Sequence, residues 1–249
     1  MVDAPAYLRI AADLRSRITA GDLAPGARLP SESTLMGDYG VSRTVAKWAV
    51  AVLKSDGLVE GRAGSGVFVR TVRRAARASP DRNSRGVAGS SSPFERDHAR
   101  AGQRASWRHV SSRDRADLDT ARRLNLRPGD PVMVTRYVFL ADDEPIQLSR
   151  SWEPLALTRG TAVEWPEDGP VTGVVARMDR IGIRIDEVLE RVIGRAAEPD
   201  EIEQLRLPAR GAHVLVVTRT YLAGGVPVET ADLVFLSDRY ELTYRMPVD

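Results

Sequence analysis

Three side chains, Arg43, Thr44 and Lys47, carry the clearest binding chemistry in this sequence of 249 residues. On a helix that begins after Ser42 they occupy positions i, i+1 and i+4 and project from one side. The inner, apolar face of this helix is predicted to be Val45, Ala49, Val52 and Leu53. Two cations and a hydroxyl suit the major groove of DNA, where Arg binds guanine and Thr binds a phosphate or a thymine methyl group. Taken alone, the same residues also fit a solvated helix face.

The distribution of charge also indicates a polyanionic partner for the first half of the chain. Residues 1–78 carry 12 Lys+Arg against 7 Asp+Glu, a net charge of +5, and residues 79–127 carry 11 against 6, again +5. Residues 128–249 carry 13 against 21, a net charge of −8. We therefore expect the first half to meet a polyanion and the second half to meet something else.

Signals for catalysis are weak, so we expect no enzyme, no metal site and no cofactor. The chain has no cysteine, which removes thiolate zinc sites and cysteine nucleophiles. The three histidines, His98, His109 and His213, lack metal-ligand spacing. Neither a Gly-x-Ser-x-Gly elbow nor a Gly-Lys-Ser/Thr phosphate loop occurs. The sequence has no apolar run long enough to span a bilayer and no signal peptide, so we expect a cytoplasmic protein.

The N-terminal residues predict three helices followed by a glycine-tipped hairpin. Ser31 and Ser42 are suited to cap the second and third helices. In the hairpin, Gly64 and Gly66 would let the backbone approach a sugar-phosphate chain closely, and Arg62 would supply positive charge. The apolar face of the first helix is Tyr7, Ala11, Leu14 and Ile18.

Several spaced motifs in this part resemble the DNA-binding domain of the GntR family of bacterial transcriptional regulators. They are Gly21-x-Leu23-x-Pro25-Gly26-x-x-Leu29-Pro30-Ser31-Glu32, Gly40-Val41-Ser42-Arg43-Thr44-Val45, Gly57-Leu58-Val59 and Arg62-x-Gly64-x-Gly66-Val67-Phe68-Val69. The resemblance implies a winged helix-turn-helix. It also implies a set of DNA-binding residues: Ser31, Ser33, Ser42, Arg43, Thr44, Lys47, Arg62, Gly64 and Gly66.

Three residues of this segment depart from the usual family pattern. Ser33 and Lys47 stand where the family commonly has arginine, and lysine cannot reproduce the planar fork of arginine. Trp48 replaces a smaller or polar residue, and we expect it to pack or to contact a second copy rather than to bind a base. We therefore expect the operator to differ from those typical of the family.

The C-terminal half resembles the UTRA effector-binding domain of the HutC subfamily. The matching residues include Leu124-x-Leu126-x-x-Gly129, Glu144-Pro145, Pro227-Val228-Glu229 and Asp238-Arg239-Tyr240. The resemblance implies a small-molecule effector, with anions such as sugar phosphates as one class, and the best-matching positions are Arg136, Thr172 and Glu229. For Arg136 and Glu229 a structural salt bridge remains an alternative. Phe235 stands where the family often has tyrosine.

The pattern of this half predicts an α+β domain around a mostly antiparallel sheet. A weak internal repeat places Val132–Arg136 and Val214–Arg219, each ending in Thr-Arg, in equivalent strands. A helix is predicted over Val171–Ile181, a strand over Ile183–Leu189 and a helix over Pro199–Leu205. Ser92-Pro93-Phe94-Glu95 predicts a capped helix that ends near Gly102.

Together these observations predict a winged helix-turn-helix domain over residues 1–70, a flexible linker rich in Arg, Ser and Gly over 71–91, and an α+β, UTRA-like effector-binding and dimerisation domain over 92–249. The expected function is that of a homodimeric regulator, more often a repressor, that binds an inverted-repeat operator in double-stranded DNA and responds to an effector. The alternatives are an effector-independent DNA-binding protein and, from the fold resemblance of UTRA to chorismate lyase, an enzyme.

Overall fold

The computed structural model describes residues 4–71, 75–78, 92–207 and 211–244, with the backbone alone at 75–78. The chain divides into two compact units, Met1–Arg73 and Arg74–Asp249. Most of the predicted linker over residues 71–91 lies outside the described residues. Its described part includes strand β3 (Ala75–Ala78).

The first unit contains the three predicted helices, α1 (Ala6–Ala20), α2 (Glu32–Tyr39) and α3 (Arg43–Ser55). The caps follow the sequence signals. The Ser31 hydroxyl accepts a hydrogen bond from the Thr34 backbone N–H, and Ser42 accepts one from Val45. Gly21 and Gly40 end α1 and α2 in the left-handed conformation that glycine adopts without strain.

The predicted hairpin is formed by strands β1 (Val59–Arg62) and β2 (Gly66–Val69). Residues 26–29 add a third extended segment, which the sequence did not reveal. The Leu29 N–H donates to the Val67 carbonyl at 2.8 Å, and the Val69 N–H donates to the Ala27 carbonyl at 2.8 Å. This pairing links the loop before α2 directly to the hairpin.

Apolar side chains from all three helices and both strands form the core of this unit. The buried residues are Ile10, Ala11, Leu14, Leu23, Leu29, Leu35, Ala46, Ala49, Val50, Leu53, Val59 and Val69. Burying these chains supplies the main driving force for folding the unit, because the hydrophobic contribution scales with the apolar area removed from water.

The second unit is built on a six-stranded antiparallel sheet. Its strands are β4 (Ala105–Arg115), β5 (Pro131–Ala141), β6 (Glu144–Pro154), β7 (Glu187–Ala196), β8 (His213–Ala223) and β9 (Val226–Leu236). They lie in the order β4-β5-β6-β9-β8-β7. The helices are α4 (Pro93–Arg100), α5 (Leu118–Leu124), α6 (Leu155–Thr158), α7 (Val174–Arg180) and α8 (Pro199–Gln204).

The weak sequence repeat corresponds to a structural repeat, since β4-α5-β5-β6 and β7-α8-β8-β9 occupy the two halves of the sheet. In each half two 11-residue strands are joined by a two-residue turn, and the register shifts after Phe139 and after Tyr221. When the two hairpins are aligned strand for strand, Arg136 is equivalent to Thr218, and Tyr137 is equivalent to Arg219. The two runs therefore lie in equivalent strands, as predicted, with their Thr-Arg pairs offset by one residue.

Two other predicted elements of this unit differ in extent. The helix predicted over Val171–Ile181 begins only at Val174, because Gly173, with φ +79°, precedes it. The strand predicted over Ile183–Leu189 was placed too early. Pairing with β8 starts at Glu187, whereas Ile183 and Ile185 pack against Met178 of α7. An apolar run alone does not distinguish these two ways of burying side chains.

The capping box predicted at Ser92 is present and begins α4. Within this unit, α4 packs beside a short parallel pair formed by β3 and strand β10 (Tyr240–Thr243). His98, which is buried, bonds Gln103 through Nδ1 and the Tyr240 hydroxyl through Nε2, both at 3.0 Å. The Tyr240 hydroxyl donates to Gln147 in β6 at 3.1 Å, so this network ties α4 and β10 to the central sheet.

The cap of α5 leads to a test of local stability. The Asp117 carboxylate accepts the Thr120 N–H at 2.7 Å, and this bond lowers the pKa of Asp117. We expect Asp117→Ala to reduce the free energy of unfolding by about 1 kcal/mol at pH 7 in urea denaturation. A lowered pKa means that the carboxylate's contribution is present above the unfolded-state pKa and is lost as pH falls through the folded-state pKa.

The matched control for this cap is Asp119→Ala, which removes an exposed carboxylate from the first turn of the same helix. We expect its effect to stay within about 0.5 kcal/mol. Equal losses for the two variants would contradict a capping role for Asp117.

Candidate nucleic-acid interface and effector-domain site

Helix α3 presents Arg43, Thr44 and Lys47 to solvent, as the sequence predicted. The buried stripe shares Ala49 and Leu53 with the predicted inner face but differs from it at the other two positions. It consists of Ala46, Ala49, Val50 and Leu53 at helical spacings of three, one and three, while Val45 and Val52 are half-buried at its margin. The three polar residues therefore lie on the open side of the helix.

Arg43 is held by an ion pair with the first residue of α2. Its Nε lies 3.0 Å from Glu32 Oε2, although 79% of the Arg43 side chain is exposed. An exposed pair of this kind adds little to stability. It does keep the guanidinium near the start of α3, and because Glu32 bonds only Nε, both terminal nitrogens of Arg43 stay available to a base.

The three predicted serines occupy the starts of α2 and α3. The Ser31 hydroxyl is 2.8 Å from the Ser33 hydroxyl and 2.7 Å from that of Thr34. Ser42 lies 3.5 Å from the Val45 N–H, which is a long capping bond. Positioning these helices is the role that the structure describes for Ser31 and Ser42, and their contact with DNA stays a prediction.

The hairpin carries the other predicted residues. Arg62 bonds Glu60 at 3.1 Å and lies over the Phe68 ring at 4.5 Å. Gly64 and Gly66 have φ of +69° and +112°, a region that favours glycine. Trp48 is 54% exposed and contacts Tyr7 edge-on at 5.8 Å, so it packs against α1 on one side.

The structure separates the three predicted effector residues. Arg136 is paired with Arg150, and Arg150 with Asp232, so these side chains share one face of the sheet, where Arg136 is exposed. Glu229 lies three residues before Asp232 on β9 and therefore points to the opposite face. Thr172 is exposed and precedes Gly173, the cap of α7. The α7 helix contributes a side chain to the face on which Glu229 lies.

That second face contains two buried ion pairs, which the sequence analysis did not single out. Glu229 accepts a bond from Arg219 Nη2 at 3.0 Å, so the salt-bridge alternative for Glu229 is present, with Arg219 and not Arg136 as the partner. Glu153 accepts bonds from Arg177 of α7 at 2.5 and 3.0 Å, and Arg177 also donates to the Val163 carbonyl. No local pattern marks Glu153 and Arg177, because they lie 24 residues apart on a strand and a helix.

Burial controls the protonation behaviour of this cluster. Burial raises the pKa of both Glu153 and Glu229, and the paired arginines oppose that rise. The pKa of Tyr137 is also raised, first by burial and then by the Glu167 carboxylate, to which its hydroxyl donates at 3.1 Å. Among the described residues, Glu229 Oε2, Arg177 Nε and Arg219 Nε are buried without a hydrogen-bond partner.

Within the described ranges, no cluster of three or more His, Cys, Asp or Glu side chains has the arrangement of a metal site. In the same ranges, no helix is both long enough and apolar enough to cross a membrane.

Comparison with known proteins gives matches along almost the whole chain. A family model described as bacterial regulatory proteins of the gntR family matches residues 6–69, and the UTRA domain model matches residues 100–241. A solved structure of a GntR-family transcriptional regulator is 45% identical, with a TM-score of 0.69 and 98% of both chains covered.

Two curated relatives also align over nearly their full lengths. The mannosyl-D-glycerate transport/metabolism system repressor MngR of Escherichia coli is 27% identical, with 96% of this chain and 95% of the relative covered. The histidine utilization repressor of Pseudomonas putida is 26% identical, with 97% and 92% covered.

The placement of Arg43 leads to a test of base recognition. If Arg43 binds a guanine, Arg43→Ala reduces the discrimination between a selected DNA site and random DNA by about 1–3 kcal/mol. Binding titrations at one fixed salt concentration measure this discrimination as the ratio of the affinities for the two DNAs. Arg62→Ala is the comparison, since loss of a phosphate contact weakens both DNAs alike. An unchanged ratio in Arg43→Ala would reject the base contact.

The buried pair of Arg177 and Glu153 leads to a test of stability. Arg177→Met leaves the Glu153 carboxylate buried without its cation, so we expect the free energy of unfolding to fall by about 3–5 kcal/mol in urea denaturation. The control is Arg104→Met. The side chains of Arg104 and Asp143 are 70% and 74% exposed, and their pair is expected to contribute at most about 1 kcal/mol. Similar losses in both variants would contradict this distinction.

Proposed function

Because this chain belongs to the GntR family of bacterial regulatory proteins and carries a UTRA domain, we propose that it is a repressor whose affinity for its operator changes when a small molecule binds the C-terminal unit. As a member of this family it is a transcriptional regulator and not an enzyme. We assign DNA binding to residues 1–70, a linker to residues 71–91, and effector binding and dimerisation to residues 92–249.

The observation that carries the DNA-binding proposal is the orientation of α3. Its apolar stripe is buried within the first unit, so Arg43, Thr44 and Lys47 remain available to a major groove. The hairpin with Gly64 and Gly66 would lie along the DNA backbone. Repression is supported by the names of MngR and of the histidine utilization repressor, both of which align over nearly the full chain.

We infer that two copies of the chain act together on an inverted repeat. A two-fold dimer presents two α3 helices related by the same symmetry, so each half-site would be read in the opposite direction. Half-sites read by such dimers are typically about 10 bp apart, centre to centre. We place this activity in the cytoplasm, where a bacterial regulator meets its DNA.

For the effector we propose the sheet face that carries Glu229, with Thr172 at the end of the loop before α7. The buried atoms without partners on Glu229, Arg177 and Arg219 support a polar ligand that would supply both a donor and an acceptor. Since each arginine is already paired with a carboxylate, an anionic ligand would need to displace a carboxylate or use Thr172 and the backbone near it. Arg136 lies on the other face, so a contact with the same ligand is not supported by the register.

The test combines selection of bound DNA fragments with a thermal-shift screen of metabolites on the full chain. We expect an enriched inverted repeat, and at least one metabolite that raises the melting temperature and weakens operator binding. Because the coupling is reciprocal, a saturating concentration of operator must lower the affinity of the protein for that ligand by the same factor.

The remaining outcomes contradict parts of the proposal. Equal affinity for all duplexes would indicate a sequence-independent DNA-binding protein. A specific operator whose affinity no stabilising ligand changes would indicate a constitutive binder. A single unrepeated half-site, bound by a monomer, would contradict the dimer.

A further inference from the structure

The extended segment at residues 26–29 brings a second arginine, Arg28, onto the hairpin of the first unit. Arg28 forms an antiparallel bridge with Phe68, which is itself paired with Glu60 on the other side. Directly paired residues share a face of a sheet. Arg28, Phe68 and Glu60 therefore lie side by side, next to the Arg62 guanidinium that covers the Phe68 ring.

Gly66 provides the space in which the Arg28 guanidinium lies. A Cβ atom at position 66 would be 3.0 Å from Arg28 Nε and 3.2 Å from Nη2, closer than side chains normally approach. The absence of a side chain at Gly66 thus lets the guanidinium rest across the hairpin backbone. Two observations therefore favour glycine at position 66: its φ of +112° and the close approach of the Arg28 guanidinium.

The charge of Arg28 is available, in contrast to that of the two arginines predicted to bind DNA. Arg43 is paired with Glu32, and Arg62 with Glu60. Arg28 is exposed, and no acidic side chain in the described part of the chain forms an ion pair or hydrogen bond with it. The hairpin therefore has an uncompensated positive charge beside Gly66, one of the two glycines that are expected to let its backbone approach DNA closely.

We propose that Arg28 is a DNA-binding residue that contacts a backbone phosphate beside the hairpin. This inference rests on the proposed DNA-binding function. A phosphate is the expected partner because no neighbouring group fixes the exposed guanidinium in the orientation that bidentate base recognition requires. The contact would contribute to affinity for every duplex and would not discriminate between sequences.

The experiment compares Arg28→Met with Arg28→Lys in the full chain. Methionine keeps a long aliphatic side chain against Gly66 but removes the charge, whereas lysine keeps the charge. Affinity for the selected operator and for random DNA is measured at several salt concentrations. Thermal unfolding of each variant checks that the first unit remains folded.

We expect Arg28→Met to lower the affinity for both DNAs by the same factor. It should also reduce the slope of log K against log salt concentration by about 0.9 for each bound copy of the chain. Arg28→Lys should keep the wild-type slope. Arg9→Met, which removes a positive charge from α1 of the same unit, is the control for net charge and should change the slope by less than Arg28→Met.

Three results would overturn the proposal. They are a wild-type slope in Arg28→Met, an equal reduction in Arg9→Met, and a loss confined to the operator. If wild-type protein bound no DNA at all, the proposed function itself would fail, which is a different outcome from a wild-type complex that is insensitive to Arg28.

Discussion

The packing of α3 against α1 fixes the rotation of α3 about its own axis, and the rest of the DNA-binding surface depends on that rotation. Ala46 and Ala49 are completely buried, and beside them Val50 and Leu53 meet Ile10, Ala11 and Leu14 within one core. Alanine lets two helices approach closely, and a larger side chain at either position would rotate or displace α3. Because the apolar stripe can face only inwards, Arg43, Thr44 and Lys47 face outwards. The same unit exposes Arg62 on the hairpin and Arg28 on the segment paired with it.

A corresponding constraint organises the second unit. The strands of the antiparallel sheet send alternate side chains to opposite faces, so the sheet separates Arg136, Arg150 and Asp232 from Glu153 and Glu229. Breaking a buried ion pair is costly, which makes the pair of Glu153 with Arg177 a strong determinant of one arrangement of α7 over the sheet. A ligand that competes for either of these two groups would have to change that arrangement, which gives effector binding a physical route to a conformational change.

Much of the fold was predictable because its signals are local. Ser31, Ser42 and the capping box at Ser92 marked helix starts, and the glycine-rich tip at residues 61–66 marked the hairpin. Contacts between distant segments were not predictable in the same way. A shift of one residue separates the two Thr-Arg pairs, and strand register places Arg136 and Glu229 on opposite faces. The approach of Arg28 to Gly66 depends on pairing across some 40 residues, for which the single sequence carries no signal.

Photo-cross-linking from position 44 tests most directly whether the outer face of α3 enters DNA. With a benzophenone amino acid replacing Thr44 in the full chain, this account predicts cross-links to operator DNA at a defined position on the major-groove side, to a base or to an adjacent phosphate. Cross-links that form only within the protein while the operator remains bound would contradict it.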